Sequence, residues 1–185
     1  MKKPSATHLS DEQELFLHKA LLGENILVDA CIGSGKTTAF QHLCRAFPET
    51  TQILYLTYNK LLKLDAKGKI KNKNVTVTNY HGFAFHMLRK VGVEPNIADA
   101  IQLFNDMKPQ IKAYDVLIID EYQDIEREFS EMLEYIKSTN PTIQIIAVGD
   151  MAQKIYDKTT LDVSAFMEEF LGPHIKLVFT KCFRL

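Results

Sequence analysis

The chain has 185 residues, of which 46% are hydrophobic, and a formal net charge of -1 at pH 7. This composition is typical of a soluble globular protein, and the length allows one sizeable α/β domain, or one domain with a fragment of another. No apolar run approaches the roughly 20 residues of a membrane span, and the N-terminus lacks the apolar core of a signal peptide. Cys31, Cys44 and Cys182 lack metal-ligand spacing and leave one cysteine unpaired, which favours reduced thiols. We therefore expect a cytoplasmic protein with no membrane partner.

The first predicted element is a helix that starts after Ser10. Ser10 fits the N-cap position, and Gln13 stands three residues later, as in a capping box. Leu15 and Leu22 belong to the apolar face, and Gly23 closes the helix. Capping is therefore one possible role for Gln13.

A phosphate-binding loop is predicted between the next two elements. The apolar run 26–28 predicts a buried strand, and a helix is predicted over roughly 36–46. Residues 30–37 fit the pattern GxxxxGK[ST], with alanine in place of the first glycine. Glycines in such a loop let successive N–H groups point at a phosphate, while the lysine lies near the outer phosphates and the threonine hydroxyl can ligate Mg²⁺. The predicted nucleotide contacts are Ala30, Gly33, Ser34, Gly35, Lys36, Thr37 and Thr38. The alternative is a simple glycine turn, but the strand before it and the helix after it favour nucleotide binding.

A lysine-rich stretch follows the second predicted strand, residues 53–57, and a short helix near 59–65. Its lysines are Lys60, Lys63, Lys67, Lys69, Lys71 and Lys73. One interpretation is a solvated loop with a turn at Gly68, and the other is contact with a nucleic-acid backbone. Residues 1–90 carry 13 Lys+Arg and 7 Asp+Glu, whereas residues 91–185 carry 9 and 16, which indicates that the first half faces a polyanion.

The middle of the chain predicts one more strand and two helices. Residues 75–78 alternate as in a strand, and a helix is expected over 79–89. A further amphipathic helix is expected over 97–107 and is ended by Pro109. Its predicted apolar face consists of Ile97, Ile101 and Phe104.

The second chemical motif follows four consecutive aliphatic residues, 116–119. They predict a fully buried strand of the parallel type, from whose carboxyl end Asp120 and Glu121 emerge. Asp120 is expected to hold Mg²⁺, and Glu121 to orient and deprotonate an attacking water. An acidic turn that merely ends the strand is the alternative. The phosphate loop upstream favours the catalytic interpretation.

The remaining pattern completes a parallel α/β sheet with helices on both faces. A helix is predicted over 126–137, then a strand over 143–148, a helix over 163–171 and a last strand over 175–179. The face of the first of these helices consists of Phe129, Met132, Leu133 and Ile136, and is assigned to packing. We expect the site to lie along the carboxyl edge of the strands.

Several stretches, in this order, resemble the first motor domain of superfamily 1 DNA helicases of the UvrD/Rep type, and within it the F-box helicase branch. They are residues 9–13, 30–37, 56–60, 78–83, 119–124, 148–156 and 179–184. The resemblance covers nearly the whole chain and implies a RecA-like ATPase fold, with ATP and Mg²⁺ bound.

The resemblance also implies roles for individual residues. Gln13 would read adenine, and Thr37 and Asp120 would hold the metal. The implied catalytic residues are Lys36, Glu121, Gln153, which senses the γ-phosphate, and Arg184, which contacts it in the transition state. The implied contacts to single-stranded DNA are Thr57, Tyr58, Asn59, Thr78, Tyr80, His81, Phe83 and Tyr156.

Two departures from the family pattern concern the DNA contacts and the accessory domain. The family usually stacks a tryptophan on a base, but this chain contains no tryptophan, so base stacking would fall to Tyr58, Tyr80, Phe83 or Tyr156. The accessory insertion is expected to be minimal, near residues 90–113.

The chain stops just after Arg184. We therefore expect a single RecA-like domain over 1–185, without its second motor lobe and nearly inactive as a motor alone. A stand-alone, nucleotide-dependent binding module for nucleic acid or protein remains the alternative. A phosphate-loop kinase is disfavoured because residues 148–156 have no role in kinase chemistry.

Overall fold

The computed structural model describes residues 8–31, 33–58, 60–153 and 161–181, without the side chains of Leu61 and Gln153. Over these residues the chain forms one six-stranded sheet in the order β3-β2-β4-β5-β1-β6, and every neighbouring pair is parallel. The strands are β1 (Ile26–Ala30), β2 (Ile53–Thr57), β3 (Val75–Asn79), β4 (Val116–Asp120), β5 (Gln144–Gly149) and β6 (Ile175–Phe179). The predicted parallel α/β fold is confirmed.

Seven α-helices flank these strands over the described residues. They are α1 (Asp11–Leu21), α2 (Lys36–Ala46), α3 (Lys60–Lys69), α4 (Tyr80–Lys90), α5 (Ala100–Met107), α6 (Arg127–Thr139) and α7 (Val163–Leu171). Short 3-10 turns span Ile97–Asp99, Tyr122–Asp124 and Met151–Gln153. Within the described ranges, none of the helices is both long enough and apolar enough to cross a membrane.

The helices divide between the two faces of the sheet. Helices α1 to α3 pack on one face, and α4 to α7 pack on the other. Strand β4 shows why both faces are apolar: Val116 and Ile118 point to the first layer, while Leu117 and Ile119 point to the second. Burying both faces leaves the carboxyl edge of the strands as the place where polar side chains emerge.

The predicted start of α1 is confirmed in detail. Ser10 Oγ accepts from the Gln13 backbone N–H at 3.2 Å, and Gln13 Oε1 accepts from the Ser10 N–H at 2.9 Å. The two bonds form the capping box that the sequence predicted. Gly23, with φ 88°, follows the end of the helix.

Two predictions about secondary structure were wrong. The lysine-rich stretch is helical as far as Lys69, so Gly68 lies inside α3 and not at a turn. Lysine and leucine are good helix formers, and Ala66 is buried against the sheet, which outweighs the charge of the segment. Ile97 belongs to a separate 3-10 turn and is 68% exposed, whereas Ile101 and Phe104 are buried as predicted.

Candidate nucleotide-binding site

The loop between β1 and α2 turns through two glycines with left-handed backbone. Gly33 has φ 74° and Gly35 has φ 77°, a conformation that other residues adopt only with strain. Gly35 is the N-cap of α2, and no side chain caps this helix. Because the first N–H groups of a helix have no partner within it, the positive end of α2 is open to an anion. The loop has the geometry that phosphate binding requires.

Lys36, the first residue of α2, bridges the phosphate loop and β4. Only β5 separates β1 from β4 in the sheet, so the two strand ends lie within reach of one side chain. Lys36 Nζ lies 3.0 Å from Asp120 Oδ1 and also donates to Glu121 Oε1. Burial lowers the pKa of Lys36, but the two carboxylates outweigh burial and hold its pKa above the ordinary value. Lys36 and Asp120, 84 positions apart in the sequence, therefore meet at the carboxyl edge of the sheet.

Asp120 is held by a second group that no local sequence pattern predicts. Tyr55, in β2, donates its hydroxyl to Asp120 Oδ2 at 2.9 Å. Asp120 is only 5% exposed. Burial raises the pKa of the Asp120 carboxyl, while Lys36 and the Tyr55 hydroxyl lower it, and burial prevails. The pKa of Tyr55 lies well above its ordinary value, mainly because the hydroxyl is buried and also because the negative charge of Asp120 lies beside it. The carboxylate is therefore fixed at both oxygens.

Glu121 stands in a strained position and has a dedicated partner. Its φ of 57° and ψ of 50° are left-handed, which for a residue other than glycine costs about 1–3 kcal/mol. Gln123 Nε2 donates to Glu121 Oε2, and Gln123 Oε1 accepts from the Asp150 backbone N–H at 3.1 Å. The amide of Gln123 thus ties Glu121 to the loop after β5. No local pattern in the sequence predicts this role for Gln123.

A cavity of about 610 Å³ lies between these groups. Every predicted nucleotide, metal and general-base residue with a described side chain lines it: Gln13, Ala30, Gly33, Ser34, Gly35, Lys36, Thr37, Thr38, Asp120 and Glu121. Ser34 is 2% exposed, and its Oγ has no hydrogen-bond partner among the described residues. An unpartnered buried hydroxyl in a loop of left-handed glycines fits a phosphate oxygen. Thr37 and Asp120 supply the oxygen ligands that Mg²⁺ prefers. The cavity therefore fits a nucleoside triphosphate with its metal.

Several predicted residues lie outside the described part of the chain. The side chain of Gln153 is among them, although its backbone ends the 3-10 turn Met151–Gln153. Asn59, Tyr156 and Arg184 are also outside the described residues. Their predicted roles stay predictions.

Two of the predicted DNA-contacting aromatic residues are in the core. Tyr80 is 1% exposed and stacks on Phe129, with ring centroids 4.5 Å apart and planes 8° apart. Phe83 is also 1% exposed and packs against Phe104 and Tyr114. These rings have no free face for a base, so the prediction that Tyr80 or Phe83 replaces the missing tryptophan is corrected.

Thr57 and Thr78, two further predicted DNA contacts, are also buried, at 0% and 8% exposure. Thr57 ends β2 and Thr78 lies in β3, so their side chains belong to the packed sheet. Their side chains are therefore poorly placed to contact a strand of DNA.

Tyr58 and His81 remain accessible. Both are half-buried, and both rings meet Phe129 edge-on, at centroid distances of 6.2 Å and 5.9 Å. They line a second cavity, of about 680 Å³, together with Lys60 and Lys63. This second cavity combines aromatic rings with basic side chains, and Glu126 and Glu128 also line it. The lysines are those that the sequence analysis left open between a solvated loop and nucleic-acid contact.

Comparisons with solved structures identify the fold. The chain matches Pif1 helicase from Candida albicans with a TM-score of 0.61 and 20% identity, covering 96% of this chain and 41% of that one. It matches Pif1 from Bacteroides sp in complex with ADP-AlF4 with a TM-score of 0.60 and 17% identity, covering 97% and 44%. It matches Pif1 helicase from Bacteroides in complex with ADP-AlF3 and ssDNA with a TM-score of 0.58 and 17% identity, covering 96% of this chain and 43% of that one.

At these identities the likeness establishes the fold, and the chain spans less than half the length of each of these helicases. No curated protein matches the chain in sequence. The expected RecA-like architecture of a helicase motor domain is confirmed. A protein family described as AAA domain matches residues 13–159, most of the chain. This chain, whose fold matches that of the Pif1 helicases, belongs to that AAA domain family.

Proposed function

We propose that the chain is the ATP-binding first motor domain of an ATP-dependent DNA helicase that moves on single-stranded DNA. The observation that carries the proposal is the meeting of Lys36, Asp120 and Glu121 at the rim of the 610 Å³ cavity. A phosphate loop, a buried carboxylate and a partly buried carboxylate in this arrangement are the parts that phosphoryl transfer to water requires. The family and the fold support the same conclusion.

Each residue of the site has a proposed task. The backbone N–H groups of the loop and Lys36 hold the phosphates. Thr37 and Asp120 would hold Mg²⁺, which neutralises charge on the outer phosphate oxygens. Glu121 accepts a proton from the attacking water, and Gln123 keeps its carboxylate aimed. The left-handed backbone of Glu121 is strain at the point where the chemistry is proposed.

A second RecA-like lobe is proposed to close over the nucleotide. Gln153 and Arg184 would then report and stabilise charge on the γ-phosphate, as the resemblance implies. Closure would exclude water and complete the catalytic set. We therefore expect the 185-residue chain by itself to bind ATP and to hydrolyse it slowly or not at all.

The second cavity is the proposed path of single-stranded DNA. Tyr58 and His81 supply ring faces, and Lys60 and Lys63 supply positive charge beside them. Base stacking is worth about 1–3 kcal/mol per base, and backbone contacts by lysine make binding depend steeply on salt. A Bacteroides Pif1 of the same fold has been crystallised with ssDNA. Tyr58→Ala is expected to weaken DNA binding, whereas Tyr80→Ala should act only through stability.

The proposal is tested by ATP hydrolysis, with and without single-stranded DNA, in a protein that contains this chain and a second motor lobe. Lys36→Ala and Glu121→Gln should abolish DNA-stimulated hydrolysis. Lys176→Ala, which removes a lysine with a 65% exposed side chain on β6, should leave it unchanged. Hydrolysis that DNA does not stimulate would remove the helicase proposal. DNA binding that ATP controls without any hydrolysis would support the stand-alone binding module instead.

A further inference from the structure

The chain that leaves β6 is held on one side by a carboxylate of helix α1. Glu12, in the first turn of α1, accepts from the Thr180 N–H at 3.0 Å and from the Lys181 N–H at 3.2 Å. The same carboxylate accepts from the Thr180 hydroxyl at 3.1 Å. Glu12 is half-buried, and one side chain therefore takes three donors from the segment that follows β6.

The opposite side of this segment is held by Cys31, the first residue after β1. The Cys31 N–H donates to the Phe179 carbonyl oxygen at 3.1 Å, and the Cys31 thiol donates to the Thr180 carbonyl oxygen at 3.5 Å. In a trans peptide the carbonyl and the following N–H point in opposite directions. The peptide groups 179–180 and 180–181 are therefore each fixed at both ends, by Cys31 on one side and by Glu12 on the other.

Both anchors belong to elements that surround the nucleotide cavity. Cys31 lines the cavity, and Glu12 precedes Gln13, which also lines it. Arg184 stands three residues after Lys181 in the sequence. Because three residues span at most about 11 Å, a change of backbone direction at Lys181 is carried to Arg184. The direction in which the chain leaves β6 is thus set by the phosphate loop and by α1.

We infer that Glu12 is a positioning residue that fixes the chain after β6 and thereby aims Arg184 at the γ-phosphate. The inference rests on the proposed function, in which Arg184 stabilises charge on that phosphate once the second lobe has closed. An interaction made only in the transition state affects the rate constant of hydrolysis and not the binding of ATP. An acidic residue that merely favoured the start of α1 would lower stability alone, and Glu14 in the same turn would do the same.

Amide hydrogen exchange of the 185-residue chain, without ligand, tests the contact itself. Glu12→Ala removes the acceptor of the Thr180 and Lys181 N–H groups. Glu14→Ala removes an exposed acidic residue from the same turn and is the matched control. We expect these two amides to exchange about threefold to tenfold faster in Glu12→Ala than in wild type or Glu14→Ala. Equal exchange in the three proteins would refute the positioning role.

ATP hydrolysis by the protein with both lobes tests whether the role passes through Arg184. We expect Glu12→Ala to lower kcat about threefold to tenfold and to change KM for ATP by less than about twofold, whereas Glu14→Ala should change neither. In an Arg184→Ala background, Glu12→Ala should have no further effect on kcat, because the residue that it positions is gone.

Three results would overturn the inference: an unchanged kcat in Glu12→Ala, the same fall in Glu14→Ala, or the same fall with and without Arg184. Failure of the proposed function is recognised separately. If the protein with both lobes does not hydrolyse ATP, or if Arg184→Ala leaves kcat unchanged, the proposed function fails. The exchange experiment then still decides whether Glu12 holds the chain after β6.

Discussion

The hydroxyl of Tyr55 offers a sharp perturbation of the site, because Tyr55→Phe removes one oxygen and keeps the ring. The ring packs edge-on against Phe40 at 5.6 Å, a contact that phenylalanine preserves. What is lost is the 2.9 Å hydrogen bond to Asp120 Oδ2. Since Asp120 is 5% exposed, water cannot freely replace that bond.

The expected cost follows from the charge of the acceptor. A hydrogen bond to a charged group contributes about 1.5–3 kcal/mol, so we expect the free energy of unfolding to fall by about 2 kcal/mol. For a chain of this length that corresponds to a fall in Tm of about 4–8 °C.

The deficit should depend on pH in a defined direction. The pKa of Asp120 already lies above its ordinary value in the folded protein, and losing the Tyr55 bond raises it further. Ionised Asp120 therefore costs stability at neutral pH, and this cost disappears as pH falls through the folded-state pKa. The difference between wild type and Tyr55→Phe should be largest at neutral pH and should shrink in acid.

Urea unfolding over a pH series measures this deficit, and the Mg²⁺ dependence of nucleotide binding measures its effect on the site. Tyr135→Phe is the matched control, because the Tyr135 hydroxyl donates to the carbonyls of Lys108 and Pro109, away from Asp120. We expect Tyr55→Phe to need more Mg²⁺ for the same nucleotide affinity, and Tyr135→Phe to leave that requirement unchanged. A stability change below about 0.5 kcal/mol with wild-type Mg²⁺ dependence would refute the reasoning.

Two further predictions concern a close-packed glycine and the thiols. Gly149→Ala would place a Cβ 2.5 Å from Gln123 Oε1, so we expect the free energy of unfolding to fall by about 1–3 kcal/mol and hydrolysis by the two-lobed protein to be impaired. Gly68 lies inside helix α3 with open space around it, so Gly68→Ala should raise the free energy of unfolding by up to about 1 kcal/mol. Equal effects of the two substitutions in urea unfolding would contradict this packing argument. In a variant with Cys182 replaced by serine, iodoacetamide should alkylate the exposed Cys31 and spare the buried Cys44. Burial raises the pKa of the Cys44 thiol to about 12, so little reactive thiolate forms there. ATP with Mg²⁺ should slow alkylation of Cys31, which lines the cavity; mass spectrometry that finds Cys44 modified, or Cys31 unprotected, would contradict the account.

The fold could be predicted from the sequence because its strands are buried on both faces. Continuous aliphatic runs such as 116–119 are typical of buried parallel strands in an α/β chain, and glycine and proline mark the ends of several elements. The charge pattern of the lysine-rich stretch favours a solvated loop, but its helix propensity and the burial of Ala66 prevail, so the stretch is helical as far as Lys69. Ile97 was assigned to a helix by its spacing alone, whereas the chain there makes a 3-10 turn before α5 begins.

The core of the site could also be predicted, because its chemistry is carried by a local loop and by a strand end. Lys36 and Asp120 were expected to meet, and they do. Tyr55 and Gln123 could not be found in this way, since their roles depend on which neighbours the sheet brings beside them. The burial of Tyr80 follows from the position of α6, which no local pattern reveals.

The most direct test of the central claim is a calorimetric titration of this chain with ATP, with and without Mg²⁺, in wild type, Lys36→Met and Asp120→Asn. If the loop and the end of β4 hold one nucleotide–metal complex, Lys36→Met should lose about tenfold or more in affinity under both conditions. Asp120→Asn should lose only the gain that Mg²⁺ provides. The same affinity in all three proteins, or no ATP binding by the wild type, would contradict the account.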